Sequence, residues 1–268
     1  MYKLLDWLQL YVDKLDWKGL SSNPNAMSLL EQHPDKIDWN CLSMNPNAIS
    51  LLEKNVNKIN WVFLSYNPNA IAILEQFPEK INWHYLSRNP NAIHLIEKHP
   101  EKISWFYLSY NPNAIHLLEK NPDKINWPSL SINSTTWAIQ HLEKNPEKID
   151  WIHLSANPNA IHLLEKNPDK INWYYLSTNP NFIAIIKNKP EKIIWDWLSD
   201  NPNAITILEK NIDKIIWFRL SSNPSIFTLD YDWLKTRMDI LREELMSKVW
   251  HPSRIARWLE QGIDVDEL

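Results

Sequence analysis

The chain has 268 residues, 44% of them hydrophobic and 22% charged, with a formal net charge of −4. Sixteen Trp argue against disorder, and 2 Gly are too few for tight strand turns or a phosphate-cradling loop. The acidic balance lacks the basic stripe that wrapping a nucleic-acid backbone normally needs, leaving only a local patch open.

Residues 1–20 come first and predict a helical N-terminal cap, with Leu4, Leu5, Leu8 and Leu10 apolar and Trp17 opening a tryptophan ladder. The stretch carries charges throughout and lacks a signal peptide's apolar core and small-residue cleavage site. No segment is apolar for the length of a membrane span, so no membrane partner is expected. Cys41 is the only cysteine, which excludes an intramolecular disulfide and fits a reducing compartment.

Residues 21–226 repeat a unit resembling L-S-x-N-P-N-A-I-x-L-L-E-K-N-P-[DE]-K-I-[ND]-W-x-x. Its tryptophans run from Trp17, Trp39, Trp61, Trp83 and Trp105 to Trp127, Trp151, Trp173, Trp195 and Trp217. Every step is 22 residues except Trp127 to Trp151, which is 24 because Asn133-Ser134-Thr135-Thr136-Trp137-Ala138 is two residues longer than the usual motif. A fixed short period of this kind signals a solenoid.

The consensus unit carries two Asn-Pro helix starts. In Asn111-Pro112-Asn113-Ala114, the asparagine suits an N-cap and the proline suits the first helical position, opening a helix A of about nine residues. Asn121-Pro122-Asp123 opens a shorter helix B, partly 3₁₀, that leads into Ile125, Trp127 and Leu130. Pro128 predicts a distorted copy of that helix. Helices this short are marginal alone, so units must stack into a continuous core. At roughly 9–10 Å per layer, ten layers give a rod or arc of roughly 90–100 Å. The recurring Asn23, Asn45, Asn67, Asn89 and Asn111 would form a polar ladder of caps. A leucine-rich-repeat horseshoe shares the period, but its strand needs a leucine where this unit has serine. The expected fold is therefore all-α, a helical-repeat solenoid of two short helices per 22-residue unit with helical caps at both ends.

Residues 227–268 leave the pattern. Tyr231 to Val249 reads as the longest helix, with Trp233, Leu234, Met238, Leu241, Leu245 and Met246 on one side. A short helix from Ile255 to Leu259 follows, with Gly262 as a C′ residue. Such a tail serves either as a packed cap or as a docking segment.

The search for chemistry yields no catalytic, cofactor or metal constellation. His94, His116 and His162 occupy one helix A position in different layers, too far apart to share a zinc ion. The serines after each leucine repeat too regularly to be a single nucleophile, and Cys41 takes a slot filled elsewhere by Phe63, Tyr85 and Tyr107. The two positions after each tryptophan vary most, and the candidate binding strip runs through Phe63, Tyr85, Tyr107, Tyr175, Trp197 and Arg219. Aromatics repeated once per layer could also stack bases, but Lys124, Lys148, Lys170, Lys192 and Lys214 mostly follow an acidic neighbour.

With LSxNPNAI and NPDKINW recurring over residues 17–226, and the ending KVWHPSRIARWLEQGIDVD, the chain resembles the Asn-Pro-rich, tryptophan-containing repeat proteins of giant nucleocytoplasmic DNA viruses. The resemblance implies action in the host cytoplasm or in the virion, and it carries no active residues to transfer. Two roles follow as expectations. One is an adaptor holding a host or viral protein partner, and the other is an architectural element that self-associates.

Overall fold

A regular unit shows how this sequence folds. Asn60 is extended, and its Oδ1 accepts from the backbone N–H groups of Val62 and Phe63 at 3.1 and 3.2 Å, capping the B helix Trp61–Tyr66. Ser65 Oγ donates back to Trp61 O, and the helix stops where Asn67 turns extended. The A helix Ile71–Gln76 follows, then one 3₁₀ turn, Pro78–Lys80, before Ile81 extends the chain into the next cap, Asn82. Pro78, standing at the unit's second proline position, thus opens only this turn. The B helix begins instead at the tryptophan, where the preceding Asn or Asp supplies the cap in seven of the ten units, while Ser104, Ile194 and Ile216 precede theirs without a side-chain cap. Pro128 consequently falls in the first turn of Trp127–Ile132, where its missing N–H is harmless, and the helix is not distorted.

The computed structural model describes residues 2–186 and 189–261, and divides into a unit of residues 4–227 and a second unit formed by the chain ends. The architecture is an all-α helical-repeat solenoid. Its core is a column of fully buried leucines, Leu20, Leu42, Leu64, Leu86 and their equivalents on B helices, facing Leu30, Leu52, Leu74 and their equivalents on A helices.

Three hydrogen-bond ladders join the layers. Asn67 Nδ2 donates to Ser43 O and Asn45 O of the preceding layer at 3.1 and 2.9 Å. Ser43 Oγ accepts the N–H of Asn60 at 3.0 Å, and Asn69 Nδ2 donates to Pro46 O at 2.9 Å. Those buried asparagines are thus satisfied on both sides, since each Oδ1 also accepts from the backbone two residues on.

The expected open rod or arc is corrected by the far end of these ladders. Asn23 Nδ2 donates to Ser221 O and Asn223 O at 3.1 and 2.9 Å, the pattern of every internal layer. Asp16 N donates to Ser221 Oγ at 2.8 Å and Asn25 Nδ2 to Pro224 O at 3.0 Å. The first unit therefore packs on the tenth, and residues 4–227 form a closed ring.

The tenth unit is a composite. Its B helix, Trp217–Ser222, comes from the end of the repeats, while its outer half is supplied by the 3₁₀ segment Asp6–Lys14, tied in by Leu5 N to Ile226 O at 2.9 Å. Leu8 and Leu15 stand 22 residues before Leu30 and Ile37 and are buried like them. Tyr11 and Lys14 lie on Trp217 at 5.3 Å each, as His33 and Lys36 lie on Trp17 at 5.2 and 4.7 Å. The N-terminal stretch thus completes a layer rather than covering an open end.

Gly19 makes the seam possible by close approach, because a Cβ there would lie 2.7 Å from Ser221 Cβ and 2.9 Å from Phe218 O.

The longer sixth unit keeps the ladder. Asn133 Nδ2 still reaches Ser109 O and Asn111 O at 3.1 and 3.3 Å, while Thr135 caps a nine-residue helix, Thr136–Lys144.

The strand Tyr2–Leu4 pairs with Phe227–Leu229, and the helices Tyr231–Val249 and Pro252–Glu260 follow in the second unit. Neither helix buries a residue. Gly262 lies outside the described residues.

Candidate interaction surface on the inner wall

Closure sorts the helices. Most neighbouring B helices pack directly on one another, whereas neighbouring A helices touch far less. In a ring, the more closely spaced elements lie nearer the axis, so the B helices form the inner wall. With about 8 Å between neighbours, ten B helices sit on a circle of radius about 13 Å. Subtracting the roughly 5–6 Å taken by helix and side chains leaves an opening about 15 Å wide, enough for one extended chain or a single helix.

Each B helix turns its leucine and serine outward into the core, which leaves the first, second and fifth positions after the tryptophan on the wall. Phe106, Ile152, Tyr174 and Phe218, all at the first position, are exposed. The second position holds every residue of the strip expected from sequence, Phe63, Tyr85, Tyr107, Tyr175, Trp197 and Arg219, and all six are half-buried.

Five of these six fall into two aromatic clusters. Tyr85 and Tyr107 lie 5.3 Å apart, with Phe106 at 5.0 Å from Tyr107 and 5.7 Å from Tyr110. Burial and the neighbouring Tyr85 raise the Tyr107 phenol above its ordinary pKa. In the second cluster, Tyr174 lies 4.8 Å from Trp197, and Tyr175 lies 5.8 Å from His153. Arg219 stacks over Trp197 at 3.7 Å while its Nε bonds Asp196 Oδ1 at 2.8 Å. Phe63 makes no ring contact with either cluster among the described residues.

The fifth position was missed from sequence, although it lies one helical turn beyond the first and shares its face. There Arg88 sits between Tyr66 and Tyr110, 5.0 and 4.7 Å from their ring centres. With Met44 and Pro46, Pro68, Pro90 and Pro112, these side chains line a groove of about 390 Å³.

The residues that invited chemical readings have structural tasks. Lys148, Lys170 and Lys214 lie over Trp127, Trp151 and Trp195 at 4.4, 4.6 and 4.7 Å, so this part of the lysine row covers the tryptophans. His94, His116 and His162 bond Glu75, Glu97 and Glu143 of the preceding layers at 3.1, 2.8 and 2.9 Å. Burial and Asp38 push the Cys41 thiol up to about 11, which keeps it protonated. Among the described residues no three His, Cys, Asp or Glu side chains gather to hold a metal, and no helix is long and apolar enough to cross a membrane.

Comparison with family models, curated proteins and solved structures finds no match.

Proposed function

We propose that the chain is a protein-binding scaffold that holds a segment of its partner against the inner wall of the ring. The contrast between frame and wall carries this reading. The leucine, serine and asparagine of each unit are identical in all ten copies, from Leu20, Ser21 and Asn23 to Leu220, Ser221 and Asn223. The wall positions change from unit to unit and gather tyrosine, phenylalanine, tryptophan and arginine, the side chains that anchor interfaces.

The resemblance to giant-virus repeat proteins makes infected-cell extract and virions the material to search. The tagged chain is to be used as bait with and without nuclease, beside a variant carrying Tyr85→Ser, Tyr107→Ser and Tyr175→Ser. The expected result is a defined protein partner that survives nuclease and is lost by the variant while its circular dichroism is unchanged. A partner kept by the variant would place the site elsewhere, and one lost on nuclease treatment would point to nucleic acid.

The architectural reading has one observation of its own. Met238, Leu245 and Leu259 stand exposed on tail helices that bury nothing, a surface suited to self-association in an assembly. Its mark in sedimentation would be a mass that is a multiple of 31.9 kDa.

A further inference from the structure

We infer that Arg88 is a carboxylate-recognition point on the inner wall, taking an acidic side chain or the free C-terminus of a bound peptide; this deepens the scaffold reading and rests on it. The two wall arginines differ in their pairing. Arg219 is neutralised by Asp196 at 2.8 Å. Arg88 is half-buried between Tyr66 and Tyr110, and among the described residues no carboxylate pairs with it and no acceptor takes its N–H groups.

A guanidinium flanked by two rings has its orientation fixed, which leaves the planar donor edge to engage a ligand. That edge matches the two oxygens of a carboxylate, and holding it in place beforehand lowers the entropy lost on binding.

The surroundings fit a peptide. The groove of about 390 Å³ falls within the range of roughly 300–1,000 Å³ common to ligand sites, and its walls are Met44, the two tyrosines and prolines. The walls are also stiff, since the carbonyls of Pro46, Pro68 and Pro90 are each held by the asparagine Nδ2 of the next layer at 2.8–2.9 Å. A ligand with one carboxylate among apolar groups would meet complementary chemistry at every point.

The test uses the full chain and short peptides, acetylated and amidated, in which proline and leucine flank a central Glu, Gln or phosphoserine. A further Gln peptide is left with a free C-terminus. Binding is read by fluorescence anisotropy. The Glu peptide should bind about tenfold more tightly than its Gln counterpart, the scale of a hydrogen bond to a charged group. That preference should vanish in Arg88→Gln and shrink in Arg88→Lys, which keeps charge but loses the fork, with both variants melting like the parent. Recovery of affinity by the free-terminus Gln peptide would identify the chain end as the second source of the same group.

Equal binding of Glu and Gln peptides, or a preference that persists in Arg88→Gln, would overturn the assignment and leave the scaffold reading standing. Tighter, Arg88-dependent binding of phosphoserine would overturn it in favour of phosphate. Absence of binding by all the peptides would overturn both readings.

Discussion

Two junctions of the ring depart from the repeat, and they depart in opposite ways. At the seam the covalent chain is broken within the tenth layer, which is assembled from both ends of residues 4–227, and a side chain is missing at Gly19 where the first unit meets it. In the sixth unit the chain is continuous but carries two extra residues and the added Trp137. The asparagine ladder crosses both. Its bonds measure 3.1 and 2.9 Å at the seam, and 3.1 and 3.3 Å entering the sixth unit. The inner register is therefore the invariant of this architecture. Outer segments adapt, either by being supplied from elsewhere or by lengthening.

The seam is where that comparison breaks most easily. Leu8→Ala removes a fully buried side chain from the borrowed half-layer and should cost about 2–5 kcal/mol in chemical denaturation. Asn23→Ala leaves Ser221 O and Asn223 O without their donor, at a cost of about 2–4 kcal/mol. The same change at Asn111, deep in the continuous chain, should cost a similar amount. A much smaller loss at Asn23 would mean that its amide faces water and the ends are apart. Gly19→Ala forces a Cβ against Ser221 and should destabilise by about 1–3 kcal/mol, whereas Ser129→Ala, at the equivalent slot of the sixth unit, should cost less.

The sixth unit has a pH signature instead. His141 stacks between Trp127 and Trp137 at 5.4 and 4.7 Å, and burial, with Lys144 and Lys148 adding to it, lowers its pKa below the ordinary 6.5. The folded state thus favours neutral imidazole. Its contribution is present above pH 6.5 and is lost as pH falls through the lowered folded value. Comparing thermal melts at pH 7.5 and 5.5 for the parent and His141→Gln should show a pH-dependent component that the variant lacks.

The smallest effect is at Cys41, whose thiol, pushed up to about 11, should react with a disulfide reagent at pH 8 far more slowly than the unfolded chain does.

Much of this could be read from residues alone. The tryptophan spacing gave the unit, and the tail helix expected from Tyr231 to Val249 has those bounds in the structure. Closure was harder to see. Curvature comes from a small rotation per unit, here about 36° for ten units around a circle, and no single residue type encodes it. The hints were Leu15-Asp16-Trp17 standing in register with Ile37-Asp38-Trp39, and a glycine where other units carry a larger side chain. Both acquire meaning only once the ends are seen to meet. The fifth wall position is hidden in the sequence because it stands four residues from the first, and only the helical turn brings Tyr66, Arg88 and Tyr110 onto the same face.

The closed ring is tested most directly by a distance between the first and ninth units. Spin labels at Glu31→Cys and Glu209→Cys, in a Cys41→Ser background, sit on exposed outer positions two layers apart across the seam. Pulsed dipolar spectroscopy should give about 25–35 Å between them if the ring is closed, the span of two layers on the outer circle. An open rod separates the same labels by eight layers, and a distance above about 60 Å would contradict closure.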